Sequence, residues 1–350
     1  MSAERATGAK MRRWVKVSVA AAAVVGLGGW IAQPYVHEWW VIRTACDGVL
    51  PDGAVRDLVP GDARVVGAES GGVKALGDYG CEVTVAGDHS ADWRLLNLHA
   101  YTQRDDQDRE FMFAFPEGGF AQQAAMPEGL PGFIARFGAL EFLLPCPDLG
   151  KDADGRRRKM LVRAGVSLNG PWRQPASYEV AVAFANSASK RLGCGAEPLK
   201  APEGVSPADP EEQDPKTVPL AAARDTACGW LAGAGLPNPT HWKLDAQLND
   251  AAPTGRCEAT LDEEFADDDS TGMDFVAWFG DWSNRLVAGN HTSRPSLSAS
   301  ARCAGEAAHF ALDASKDVPG VDQAKKRALL KAFAAEQVKR RGCTGLALDA

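Results

Sequence analysis

Eight cysteines are the residues whose type and spacing most clearly imply chemistry. They form two sets of four in the same order: Cys46, Cys81, Cys146 and Cys194, then Cys228, Cys257, Cys303 and Cys343. Four cysteines suit either a structural zinc site or two disulfides. Structural zinc sites bring their ligands in close pairs. Here neighbours are 35, 65 and 48 residues apart in the first set and 29, 46 and 40 in the second, with no C-x-x-C. The spacing predicts disulfides, which persist outside the cytoplasm and are reduced inside it. Each set of four allows three pairings. First with second and third with fourth is expected: Cys46–Cys81, Cys146–Cys194, Cys228–Cys257 and Cys303–Cys343. These bonds tie an opening helix to a strand, and a central strand to the end of a closing helix.

Other candidate chemistry is weaker. Ser187 and Lys190 fit the S-x-x-K of penicillin-binding enzymes, where the lysine helps activate the serine. The partner motifs fail: Ser167-Leu168-Asn169 precedes it, and Lys216-Thr217-Val218 is no K-T-G. The polar last turn of a helix explains the residues better. The acidic run Asp262, Glu263, Glu264, Asp267, Asp268 and Asp269 suggests calcium, but an EF-hand loop begun at Asp267 ends on Trp278 instead of glutamate. The loop from Gly150, with Asp152, Asp154 and Gly155, ends on Leu161. The histidines (37, 89, 99, 241, 291 and 309) lack the H-x3-H and H-E-x-x-H spacings of zinc helices. Trp230, Trp242, Trp278, Phe279 and Trp282 suit a ligand face or a domain core, and core is the commoner use. Arg156, Arg157, Arg158 and Lys159 form a basic run able to meet anionic lipid or wall polymer, or simply to end an exposed strand. No catalytic or metal-binding set emerges, no cofactor is implied, and a ligand site is not identifiable.

The elements that carry the cysteines occur twice. A-F-A-x4-K-R-x-G-C spans Ala183–Cys194 and Ala332–Cys343. Thr44-Ala45-Cys46 matches Thr226-Ala227-Cys228, and Gly80-Cys81-Glu82 echoes Arg256-Cys257-Glu258. The chain therefore reads as a tandem duplication. Each copy opens with a short helix (Cys46 to Leu58; Ala221 to Ala234). A strand with the second cysteine follows (Tyr79 to Val85; Arg256 to Leu261). Trp93 to Tyr101 alternates as a strand with Leu95 and His99 on one face, and its counterpart is Phe275 to Val287. Strands at Phe142 to Cys146 and Leu297 to Cys303 carry the third cysteine, and Lys159 to Leu168 and Ala308 to Asp313 follow. An apolar stripe of Tyr178, Ala181, Phe184, Ala185, Ala188 and Leu192 marks a closing helix. Leu330, Phe333, Ala334 and Gln337 mark the other. Gly193 and Gly342 end them. The fold class expected is α+β: an N-terminal transmembrane helix, then two homologous small domains, each an antiparallel sheet covered by terminal helices.

The N-terminus sets the compartment. Lys10, Arg12, Arg13 and Lys16 precede an uncharged apolar run from Val17 to Ala32. Extended to Trp14, it approaches the roughly 20 residues that cross a bilayer. Trp30, Tyr35, Trp39 and Trp40 crowd its far edge as an aromatic belt does, and the positive charge keeps the N-terminus cytoplasmic. A cleaved signal peptide needs small residues before the cut, and Trp30 is wrong for one. The expected division is a cytoplasmic tail (1–13), a transmembrane helix (14–35), a first extracytoplasmic domain (44–198), a linker rich in proline and acid (199–219), and a second domain (220–350). The net charge of −8 argues against nucleic acid as a partner.

Leu143-Leu144-Pro145-Cys146-Pro147, Leu161-Val162-Arg163 and the A-F-A-x4-K-R-x-G-C repeat resemble motifs of membrane-anchored actinobacterial proteins with tandem four-cysteine extracytoplasmic domains. Scarce isoleucine, at positions 31, 42 and 134 only, fits a GC-rich genome. That family supplies no activity. The function expected is binding or scaffolding at the cell envelope, with the membrane and an envelope protein or wall polymer as partners. The alternatives are a wall-acting enzyme with a dispersed site and an accessory subunit of an envelope complex.

Overall fold

The computed structural model describes residues 33–350 apart from 62, 88–91, 115–122, 136–137, 154, 168, 209–216, 249–253, 263–270, 281–296, 316 and 350. The first copy comprises helix α1 (residues 33–44), a 3-10 turn (Ala45–Gly48), α2 (Asp52–Leu58), β1 (Arg64–Gly71), β2 (Asp78–Ala86), β3 (Trp93–Tyr101), α3 (Arg104–Ala114), β4 (Ala124–Ala125), β5 (Gly132–Ile134), β6 (Leu140–Pro145), β7 (Lys159–Val166) and α4 (Pro175–Leu192). The second comprises β8 (Val218–Pro219), β9 (Trp242–Leu248), β10 (Thr254–Leu261), β11 (Gly272–Phe279), β12 (Leu297–Cys303), β13 (Glu306–Ala314), α5 (Gln323–Arg341) and β14 (Thr344–Leu348). Each copy builds a seven-stranded antiparallel sheet.

The strand orders are β1-β2-β3-β7-β6-β5-β4 and β14-β12-β13-β11-β10-β9-β8. Five positions correspond in order: β1-β2-β3-β7-β6 with β9-β10-β11-β13-β12. The copies part at the next position. In the first, β5 precedes β6 and pairs with it; in the second, β14 arrives from beyond the closing helix to pair with β12.

Four disulfides join Cys46 to Cys81, Cys146 to Cys194, Cys228 to Cys257 and Cys303 to Cys343, with Cα separations of 5.4, 4.3, 5.9 and 4.1 Å. Their loops span 35, 48, 29 and 40 residues. In the chain-entropy model each closure contributes roughly 3.5–4 kcal/mol.

One face of each sheet packs on helices. Leu96, Leu98, Ala100, Phe142, Val162 and Ala164 meet α4 residues Ala181, Phe184 and Ala188 in one buried core. Tyr79 stacks on Phe184, with centroids 5.2 Å apart, which fixes β2 under α4. In the second core Phe333 of α5 lies against Trp230, Phe275 and Phe310. Glycines at φ 71° (Gly193) and 63° (Gly342) end the two helices in the left-handed conformation that leaves no Cβ clash.

Four details differ from the sequence reading. The opening helices are broken. In the first copy Cys46 and Asp47 take positive φ before Pro51 starts α2. In the second, 3-10 turns Leu220–Asp225 and Gly229–Gly233 flank Thr226, whose Oγ1 donates to the Ala223 carbonyl and competes with helix bonding. A bulge opposite Val83 and Thr84 shifts the phase of β3, so His99 lies opposite the apolar Leu96–Leu98–Ala100 row while Leu95 is in the core. The first core also takes in residues before position 44, since Val41 and Ile42 of α1 are buried in it. The linker also begins later: Leu199, Ala201 and Ala208 pack on that core, and the Asn186 side chain bonds both the N–H and the carbonyl of Leu199. Residues 14–32 of the expected transmembrane helix lie outside the described residues, and among the described residues no helix is long and apolar enough to cross a membrane.

Candidate functional site

The two sheets turn the faces opposite α4 and α5 toward each other, with α3 at the margin of the first. Phe133, Ala135, Ala139, Leu143 and Leu161 of the first copy form one buried cluster with Val276, Trp278 and Ala311 of the second. The layers therefore run helix, sheet, sheet, helix. Strands β6 and β11 carry apolar residues on both sides for this reason: Leu140, Phe142 and Leu144 face the first core while Leu143 faces the seam, and Phe275 and Ala277 face the second core while Val276 and Trp278 face the seam.

Polar groups in the first copy share the seam face. Cross-strand register aligns Gly80, His99, Arg163, Glu141 and Phe133 in one row over five strands. The row has its own chemistry. Arg163 Nε lies 3.4 Å from Glu141 Oε1, and its Nη1 lies 3.1 Å from Glu110 Oε2 on α3. The Tyr101 hydroxyl donates to Glu110 Oε1 at 3.2 Å. Gln107 clamps α3 to the sheet by donating to the carbonyls of Tyr101 and Lys159. Burial pushes the Glu141 carboxyl up to about 8; Arg163 opposes the shift and Glu110 adds to it. Burial also lowers His99, towards its neutral form, and raises the Tyr101 hydroxyl. A Cβ at residue 80 would lie 3.0 Å from His99 Nδ1, so glycine there makes room for the imidazole.

The corresponding row of the second copy is Arg256, Val276, Ala311 and Ser298. It keeps one charge and is apolar at the centre. A neighbouring row in that copy sets Asp245, Glu258, Asp274 and Asp313 side by side. Arg256 bridges it, with Nη2 at 2.6 Å from Asp274 Oδ1 and 3.1 Å from Glu258 Oε2. Burial first, then neighbouring carboxylates, raise Glu258; burial also raises Asp274, against the pull of Arg256. Among the described residues, no group of three or more histidine, cysteine or acidic side chains is arranged to hold a metal ion.

Of two adjoining clefts, one opens where the hairpins of the two copies meet, and the other is lined, among the described residues, by the first copy alone. The first, about 550 Å³, is lined by Gly155, Arg156, Arg157, Arg302, Gly305 and Glu306 among others. The second, about 280 Å³, shares Arg157 and adds Arg104, Arg158, Lys159, Asp105 and Asp152. Lys159 Nζ crosses from the first copy to Glu306 Oε1 of the second at 2.9 Å.

The sequence candidates are dispersed. Ser187 and Lys190 sit near the end of α4, with Lys190 exposed. Trp230 and Trp242 are core residues, Trp242 Nε1 donating to the Pro237 carbonyl, and Trp278 is in the seam. Trp282, His89, His291 and the acidic run after Asp262 lie outside the described residues; Asp262 itself pairs with Lys243 at 2.9 Å. Asp152 Oδ1 accepts from the Arg156 N–H and so closes a hairpin instead of facing a calcium site. His37 is exposed on α1, and His241 ends a 3-10 turn. Trp278, through the seam, and the basic run, through the shared cleft, are the candidates that the fold joins to the other copy. Helix α1 adds a bare apolar face of Tyr35, Val36, Trp39 and Trp40, each 45–60% exposed. Arg43 lies over the Trp39 ring and Arg64 over the Tyr35 ring. Comparison with family models, curated proteins and solved structures finds no match.

Proposed function

We propose that the chain is a single-pass membrane protein, N-terminus inside, that holds two disulfide-bonded domains outside the cell as a binding or scaffolding unit of the envelope. One observation carries this reading. Helix α1 buries Val41 and Ile42 in the first core and leaves Tyr35, Val36, Trp39 and Trp40 bare. That bare face directly follows the apolar run from Val17 to Ala32. Aromatic side chains with arginine over their rings suit the boundary between acyl chains and headgroups. The four disulfides suit the outer side.

Binding is favoured over catalysis by where the perturbed groups lie. Glu141, Tyr101, Asp274 and Glu258 are engaged in ion pairs or hydrogen bonds on the sheet faces. Protease applied to intact cells should remove both domains and leave a short N-terminal fragment in the membrane. A soluble mature protein beginning near Trp30 would contradict the anchor.

A further inference from the structure

We propose that the cleft between the two hairpins, together with the adjoining first-copy cleft that shares Arg157, binds a linear polyphosphate chain. This rests on the reading of the chain as an envelope binding protein and names its ligand class.

The hairpins are equivalents in the duplication, and they differ in a telling way. In the second copy β12 and β13 are joined by a two-residue turn, Ala304 and Gly305, both at positive φ. In the first copy the connection from Pro145 to Lys159 is far longer, and its returning arm carries Arg156, Arg157 and Arg158. The extension reaches the neighbouring turn, so that Arg156 and Arg157 share one cleft with Arg302. Three guanidiniums gather there in a chain whose net charge is −8. Among the described residues that line it, the one carboxylate, Glu306, pairs with Lys159. Among the described residues Arg156, Arg157 and Arg302 make no ion pair with a carboxylate. Arg158 Nε is buried beside the adjoining cleft and has no hydrogen-bond partner there. A buried donor of this kind is costly to leave unmatched, and an anionic oxygen is its natural partner.

The shape of the site argues for a polymer. Arg157 belongs to both clefts, and cations continue from one into the other. A single small anion would engage one cleft; repeating charges on a flexible backbone engage both. An arginine fork donates to two oxygens of one phosphate in plane.

The test uses the full-length chain in uncharged detergent, titrated with medium-chain inorganic polyphosphate and followed by calorimetry. Binding is expected, with orthophosphate, polyglutamate and phosphatidylglycerol vesicles each at least about tenfold weaker. The triple variant R156A/R157A/R302A should weaken polyphosphate binding by about tenfold or more. It should also lower the slope of log affinity against log salt by about 2, from three lost contacts at about 0.7 each. R302A alone should weaken binding severalfold, since the second copy supplies that contact. K200A/R327A/K331A removes the same charge from exposed positions elsewhere and should change affinity less than about twofold. No polyphosphate binding, equal effects of the two triple variants, or tighter binding to the vesicles or to polyglutamate would overturn the proposal. The topology experiment on intact cells is independent of all these outcomes, so failure here leaves the anchored reading standing.

Discussion

Glu141 and Arg163 face each other across β6 and β7, 3.4 Å apart, on the side of the first sheet turned toward the second copy. At the corresponding places of the second copy stand Ser298 and Ala311. The duplication has thus kept its helix-covered cores alike and let the facing surfaces diverge. One surface contributes a buried acid with its guanidinium, and the other contributes Val276, Trp278 and Ala311. Complementary surfaces of this kind pair with each other in preference to themselves.

The acid has a measurable consequence. Its folded carboxyl is pushed from 4.5 up to about 8, chiefly by burial. Between those values the folded chain holds a proton that the unfolded chain has released. Stability should therefore fall as pH rises through that window, by up to about 1.4 kcal/mol per unit, and level off above it. Glu141→Gln should flatten this slope. It should match the parent near pH 5 and exceed it near pH 8 in urea unfolding midpoints. A parent slope that Gln leaves unchanged would exclude Glu141 as its source.

The seam should couple the two copies. Trp278 is buried between the sheets, away from the second core. Trp278→Asp should leave each helix-covered core intact and split thermal unfolding into two transitions. A single transition at a lower midpoint would mean that the tryptophan supports its own domain only.

Phe333 tests the second core. It lies 5.8 Å from Trp230, 5.6 Å from Phe275 and 6.2 Å from Phe310, centroid to centroid, and is fully buried. Phe333→Ala should cost about 3–5 kcal/mol in denaturant unfolding of the second copy. A cost under about 1 kcal/mol would show that the aromatic cluster repacks.

The two helix ends should respond alike. Gly193→Ala and Gly342→Ala both force a side chain into left-handed backbone, at φ 71° and 63°. No backbone atom crowds either position. Each should cost about 1–2 kcal/mol from conformation alone. Markedly unequal costs would show that the two caps are not equivalent.

Much of this fold was legible in the chain. The repeated cysteines, the A-F-A helices and their terminal glycines were visible because each rests on local chemistry. β3 and β12 run over the expected spans, although the bulge beside β3 breaks the alternation that set the facing of Leu95 and His99. β1 and β14 escaped notice because each lies at or near a sheet edge with few buried side chains: Val65 alone in β1, and Leu346 alone packed in β14. Helix α3 begins with Arg-Asp-Asp-Gln-Asp-Arg and shows no stripe. The seam was missed because the sequence was read one copy at a time, and the face of each sheet opposite its terminal helices was given no partner. Uninterrupted apolar runs such as Phe275-Val276-Ala277-Trp278-Phe279 were the signal that both faces are buried. The basic cleft needs Arg302 beside Arg157, a neighbourhood that only the packing of one copy on the other creates.

The central claim is that both copies stand oxidised outside a membrane to which the chain stays attached. Thiol alkylation of the full-length chain in carbonate-washed membranes, before and after reduction, tests it most directly. The account predicts that the chain stays in the membrane pellet with no thiol modified before reduction, and eight modified after it. Non-reducing peptide maps should then link Cys46 to Cys81, Cys146 to Cys194, Cys228 to Cys257 and Cys303 to Cys343. A chain released by carbonate, or one whose cysteines react without reductant, would contradict it.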